Sequence, residues 1–321
     1  MFEINLSLGL CLIAEILLLI AGFFVFRRIC VRRRERPCTF EGLFSQSRIA
    51  MATEKRLRDD FEWFDAHRSR EICAISHDGL RLFATVVKAP EGITPKGVVM
   101  LFHGFRSNAR RDFCMQMKIL HEAGYHLLVA DQRSHSRSAG RYICYGVKER
   151  YDVITWREKA AELFGEDMPI AIMGLSMGGA TVLMASELID DADTAVKCIV
   201  ADCPFSSLKG IITHVMKSRN KLPFAKLLLT FAGFWARMLA GFTLSAPSSA
   251  EIYSNSSLPA LIIHGGGDDY VPIDHSVDIK NHAKERVKLV EIDGARHAEA
   301  IYCDEEKYTC ELIDFLDEYM S

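Results

Sequence analysis

From Gly97 onward the chain alternates short, continuous apolar runs with longer amphipathic segments, and this alternation restricts the fold more than any other feature. The apolar runs are GVVMLF (97–102), HLLVADQR (126–133), IAIMGLS (170–176), VKCIVAD (196–202), PALIIHG (259–265) and VKLVEID (287–293). Helix-length segments separate or follow them: RDFCMQMKILHEAG (111–124), KERYDVITWREKAAELFG (148–165), GGATVLMASELI (178–189) and EEKYTCELIDFLDEYM (305–320). Strands that are apolar throughout bury both faces, which means a parallel sheet covered by helices on each side. The fold class is therefore α/β, a doubly wound, mostly parallel sheet. Ahead of it, EICAIS (71–76) and RLFATVVKA (81–89) alternate in polarity around Asp78 and Gly79, the signature of a β-hairpin. Ligands of such sheets bind beyond the carboxyl ends of the strands.

The alternation breaks between Asp202 and Leu258, where no strand is predicted and KLPFAKLLLTFAGFWARMLAGF (221–242) dominates. Lys226 and Arg237 bracket ten uncharged residues, too few to cross a bilayer. We expect an inserted helical cap over about 206–257. Its bulky face either roofs an apolar pocket or simply packs the cap onto the core.

The N-terminus reads differently. Ile4 to Phe26 is almost wholly apolar, broken by Asn5, Ser7 and Glu15, and is followed by Arg27, Arg28, Arg32, Arg33, Arg34 and Arg36. A secretory signal carries its positive charge before the apolar stretch, whereas here Glu3 precedes it and arginines follow. The expectation is an uncleaved single-pass transmembrane helix with a basic flank (1–37), its C-terminal side cytoplasmic by the positive-inside bias. Glu15 is costly at mid-bilayer, so a buried or interfacial helix is the alternative. Residues 38–70, ending RLRDDFEWFDAHRSR, read as an amphipathic lead-in helix, expected to be a solvated spacer, and 71–321 is the α/β domain. Ten cysteines without a CxxC pair point to reduced, mostly buried thiols rather than a disulfide framework or a zinc site. With 39 basic and 42 acidic side chains, the net charge of −3 gives no general reason to expect a nucleic-acid partner.

Chemistry concentrates at Gly174-Leu175-Ser176-Met177-Gly178, where a predicted strand meets a predicted helix. That context is what a nucleophile elbow demands: a strained turn lifts the serine hydroxyl above the sheet, and side chains at 174 and 178 would collide with it. A serine needs a base to take its proton and a carboxylate to orient that base. Asp268 lies in the loop after one late strand, with Asp269 beside it, and His297 in the loop after the next. The alternatives are that Asp268 caps a helix and that His297 is a surface residue. An oxyanion formed at the site needs main-chain donors, expected from Met177 and from Phe105, with His103 and Gly104 shaping the loop.

HGF (103–105), DQRSHSRSAG (131–140), GLSMGG (174–179), HGGGDDYVP (264–272) and GARHAE (294–299) resemble, in order, the motif series of the α/β-hydrolase superfamily, especially its esterase, lipase and serine-aminopeptidase-like members. The resemblance runs from about Glu71 to Met320. It implies Ser176, Asp268 and His297 as nucleophile, acid and base, with Phe105 and Met177 as oxyanion donors and no cofactor or metal. The HGxxDxxVP spacing favours Asp268 over Asp269. Many relatives read DxRGHGxS where this chain has Ser134 and Ser136, which puts the turn conformation there in question; Asp131 and Arg133 are expected in local hydrogen bonds. The expected activity is hydrolysis of a carboxylic ester, small or lipid-like. Amide, peptide or thioester cleavage by the same residues, and a non-catalytic anchored scaffold, are the competing readings.

Overall fold

The computed structural model describes residues 2–33, 54–189, 193–218, 221 and 224–320. Eight strands form one sheet: β1 (Arg70–Ile75), β2 (Arg81–Val87), β3 (Gly97–Phe102), β4 (Tyr125–Asp131), β5 (Ile170–Leu175), β6 (Val196–Asp202), β7 (Ala260–Gly265) and β8 (Val287–Ile292), in the order β1-β2-β4-β3-β5-β6-β7-β8. β1 pairs antiparallel with β2 and β2 with β4, and all later pairs are parallel. The expected hairpin turns at Gly79, whose φ of 83° suits a residue without a Cβ. Because the chain leaves β3 for β4 on one side and returns to β5 on the other, the strand order reverses beside β3. A crevice opens at such a switch point.

Helices cover both faces, as the unbroken apolar strands require. On one face α3 (Ala109–Glu122) and α10 (Glu305–Met320) bury Phe113, Leu120, Phe315 and Leu316. On the other, α4 (Glu149–Phe164), α5 (Met177–Ala185) and α9 (Asp274–Ala283) bury Trp156, Val182 and Ile279. Between β6 and β7 lie α6 (Leu208–Ser218), α7 (Ala225–Trp235), a π-helical turn over Ala236–Ala240 and the short α8 (Ser249–Tyr253), with no strand among the described residues. This is the helical insertion that the sequence predicted.

Two expectations need correction. The lead-in is not a solvated spacer where it is described: α2 (Glu54–His67) seats Phe61 and Phe64 in the first core against α3, because these two apolar residues fall on one face three positions apart. Its Asp60 is fully buried and accepts from the Arg56 guanidinium at 3.0 Å. Residues 34–53, the rest of the predicted flank and lead-in, lie outside the described residues.

Nor is the N-terminal helix a separate segment. α1 (Phe2–Cys30) buries Phe26 and Cys30 in a third cluster with Met177, Phe205, Leu229 and Ala232. It runs antiparallel to α7, with Gly22 so close to Phe231 that a Cβ would meet the Phe231 Cβ at 2.4 Å, and with the Trp235 indole donating to the Leu19 carbonyl at 2.9 Å. Its C-terminal end is tied to the domain: the Cys30 carbonyl accepts from Ile143 N–H at 2.7 Å, the Ile29 carbonyl from the Tyr145 hydroxyl at 2.9 Å, and the Arg28 carbonyl from Arg106 at 2.5 Å. Arg32 donates to the Ser138 and Ser136 carbonyls at 2.7 and 2.6 Å. Toward the N-terminus Leu12, Ile13, Ile16 and Leu17 are exposed.

Candidate active site

β5 delivers its last residue directly into α5, and the turn between them holds Ser176 at φ 54°, ψ −110°, a conformation that costs an L-residue of order 1–3 kcal/mol. The surroundings over-determine it. Ser176 N–H donates to the Asp202 carbonyl at the end of β6 (2.7 Å), and α5 starts at Met177. A Cβ on Gly178 would lie 1.8 Å from the Phe102 carbonyl oxygen, and one on Gly174 2.2 Å from that of Gly178. Hence the glycines on both sides of the serine: the elbow packs backbone on backbone, at the edge of β3.

His297 arrives from the loop after β8. Its Nε2 lies 3.0 Å from the Ser176 hydroxyl oxygen and its Nδ1 2.6 Å from Asp268 Oδ2. A carboxylate only accepts, so Nδ1 carries the proton and Nε2 is left free to accept from Ser176. Asp268, in the loop after β7, is buried, and its Oδ1 accepts from the N–H groups of Tyr270 and Val271 at 2.9 and 2.8 Å. Burial alone would raise its pKa, but hydrogen bonds from His264 and His297, the His297 charge and the Val271 N–H hold it well below the usual carboxylate range. Asp269 turns away, its side chain 60 % exposed and 3.5 Å from Arg296. Of the two neighbouring carboxylates, the structure joins Asp268 to His297.

Next to the elbow, the loop after β3 is wired from both sides. His103 is fully buried, its Nδ1–H donating to the Gly104 carbonyl and its Nε2 accepting from Gln132 N–H (2.9 and 3.1 Å). Gly104 N–H donates to Asp112 Oδ2 at 2.7 Å, and Arg106 N–H to His135 Nε2 at 3.0 Å. Phe105 thus sits between two committed amides. Met177, first residue of α5, has no intrahelical acceptor for its own N–H, and the helix dipole there favours negative charge.

The DQRSHSRSAG loop is structural, as expected. Arg133 is buried and bridges Asp152 and Asp78, and Asp131 accepts from Arg137. Ser134 and Ser136 adopt φ of 63° and 43°, so serines hold a left-handed turn of the kind that glycine enters most readily. Sequence reading missed His135, whose pKa burial and the neighbouring His103 push down to about 3, leaving its Nε2 free to accept from the loop before the elbow. It also missed Tyr145, whose ring stacks on Phe105 at 5.0 Å, and Cys203, whose sulfur groups with donor atoms of Asp268 and His297 within 4.8 Å. Burial holds the Cys203 thiol well above its ordinary pKa, and the donors a metal would need from its neighbours form the hydrogen-bond relay. The described cysteines are free thiols.

The model of the family described as serine aminopeptidase, S33, matches residues 93–237, which carry the loop after β3 and the elbow. The chain has the α/β-hydrolase fold. The chain is similar to the Pyrococcus furiosus esterase Pf2001, with a TM-score of 0.64 at 22% identity over 80% of this chain and 93% of that one. It is 25% identical to the Bacillus subtilis protein YqkD over 226 residues, 70% of this chain and 72% of that protein. It is 24% identical to the human protein ABHD12B over 204 residues, covering 60% and 53% of the two.

Proposed function

We propose that this hydrolase cleaves carboxylic esters through a covalent acyl-enzyme, with Ser176 as nucleophile, His297 as general base and acid, and Asp268 as the carboxylate that orients it. The observation that carries this reading is the continuous relay from the Ser176 hydroxyl to His297 at 3.0 Å and on to Asp268 at 2.6 Å, which leaves the imidazole in the tautomer a base requires. Ser176 Oγ adds to the ester carbonyl carbon while His297 Nε2 takes its proton. The resulting oxyanion accepts from the N–H groups of Met177 and Phe105. As the intermediate collapses, the C–O bond to the alcohol breaks and His297 returns the proton to the leaving oxygen. Water then repeats the sequence on the acyl-serine, giving the carboxylic acid and free Ser176. The esterase among the similar structures favours an ester over an amide.

α1 is the proposed membrane anchor. Its segment Gly9–Cys30 has a mean hydropathy of 2.6, and the arginines after it favour a cytoplasmic side for the catalytic domain. A cleaved signal would strip Phe26 and Cys30 out of a packed cluster, which supports a retained helix. An apolar or acyl-bearing ester is the substrate class such an anchor suits.

The test is labelling with a fluorophosphonate, followed by peptide mapping and turnover of matched ester and anilide substrates. Labelling at Ser176, abolished in Ser176→Ala, with the ester turned over faster, is expected. A folded wild-type protein that takes no label overturns the reading.

A further inference from the structure

We propose that α7 and the π turn after it are themselves seated in the bilayer beside α1, so that ester substrate reaches Ser176 from the lipid rather than from water. The inference rests on reading α1 as a membrane helix and extends it to the cap.

At about 100° per residue, α7 divides into distinct faces. Ala225, Leu229, Ala232 and Ala236 point to the core and are buried. Phe231 and Trp235 meet α1, through Gly22, the Leu19 carbonyl and a ring contact with Phe23 at 5.2 Å. The exposed residues are sorted by polarity. Leu227, Phe234 and Met238, at 44%, 48% and 64% exposure, form a stripe on the side of the helix that borders α1. Lys226, Thr230 and Arg237 lie on the side away from α1. A water-facing cap has no use for this sorting, whereas a helix bordering an acyl layer turns its apolar side chains toward that layer and its cations away from it.

The occupant of the stripe follows from its continuity with α1. Leu12, Ile16, Leu17 and Phe24 of α1 are also exposed, with the exposed Glu15 among them, so α1 carries apolar side chains outward beside the stripe. Exposed Arg27 and Arg28 mark where α1 returns to water. Trp235 is level with Leu19, eight residues before Arg27, so the end of α7 lies about 12 Å along α1 from the level at which α1 returns to water. The segment is too short to span but long enough to be embedded. Leu229 and Ala232, on its opposite face, share a cluster with Met177, the residue after the proposed nucleophile, so one short helix separates lipid from the site.

The test uses full-length protein in phosphatidylcholine–phosphatidylglycerol vesicles with or without dibrominated acyl chains, which quench nearby indoles. Added reporters are Leu12→Trp on α1, Met238→Trp on the cap and Ile75→Trp on edge strand β1, over the same three native tryptophans. Expected is quenching of the Leu12→Trp and Met238→Trp increments but not of Ile75→Trp. If Leu12→Trp is quenched and Met238→Trp behaves as Ile75→Trp does, α1 is anchored but the cap lies in water or against another copy of the chain, and the proposal is overturned. If Leu12→Trp is unquenched, the anchor reading falls and takes the proposal with it. The combined variant Leu227→Ser, Phe234→Ser, Met238→Ser should lose about tenfold or more in turnover of a long-chain ester carried in vesicles. It should keep wild-type turnover of a short, water-soluble ester. Equal retention on both substrates would refute delivery through the lipid.

Discussion

Replacing Asp268 with asparagine exchanges one oxygen for an amino group, and the local hydrogen bonds determine where that group goes. Two main-chain donors, Tyr270 and Val271 N–H, face Oδ1 at 2.9 and 2.8 Å. The amide oxygen of the introduced side chain therefore stays there, and its NH2 faces His297 Nδ1. Since that NH2 can only donate, Nδ1 must become the acceptor, Nε2 takes the proton, and Ser176 loses its base. The productive alternative flips the amide and sets its NH2 against two buried N–H groups, each costing about 1–3 kcal/mol when left unsatisfied. Together they cost about 2–6 kcal/mol, so the active orientation is populated at one part in roughly 30 to 3 × 10⁴, and kcat should fall by that factor. The measurement is steady-state turnover of a short-chain ester together with the rate of fluorophosphonate labelling, in protein whose thermal unfolding is unchanged. Asp269→Asn, at the exposed neighbour, serves as the control and should stay within about twofold. A folded Asp268→Asn enzyme within about threefold of wild type would refute the tautomer argument.

Other expectations follow from the same geometry. Gly178→Ala should cost about 3 kcal/mol or more, read as a fall in the unfolding midpoint, because its Cβ would meet the Phe102 carbonyl at 1.8 Å and a backbone atom cannot give way. Asp78 has its pKa lowered to about 2: burial opposes this, but hydrogen bonds from Arg133 and Ser76 outweigh it. A depressed carboxyl contributes stability that is complete above its unfolded pKa of about 3.9 and is lost as pH falls toward 2. Melting curves across that window should therefore fall less steeply for Asp78→Asn than for wild type. Arg106→Ala frees the residue after Phe105 from the carbonyl end of α1, and kcat should drop about tenfold with KM little changed, measured on a soluble ester.

How much of this could be read from the chain depended on whether a residue's role left a pattern. The strands were legible because burial on both faces forces continuous apolar runs, and the relay because Ser176, Asp268 and His297 each follow such a run. The seating of α1 was not, because a uniformly apolar segment has no periodicity to separate Phe26, which faces protein, from Phe24, which is exposed. In α2 the spacing of Phe61 and Phe64 was visible, but five charges between Arg56 and Glu62 concealed it. His135 was hidden for another reason: its bond to Arg106 joins two loops 29 residues apart, which no local motif encodes.

The union of α1 with the loop before the elbow bears on how the protein can be handled. A shortened chain beginning after Arg33 would keep every residue of the proposed relay, yet it would open a hollow where Phe26 and Cys30 had been and leave Tyr145 and Arg106 facing solvent. Such a fragment would be more soluble and slower. Its loss of speed would measure the wall removed from the site rather than the membrane it had left.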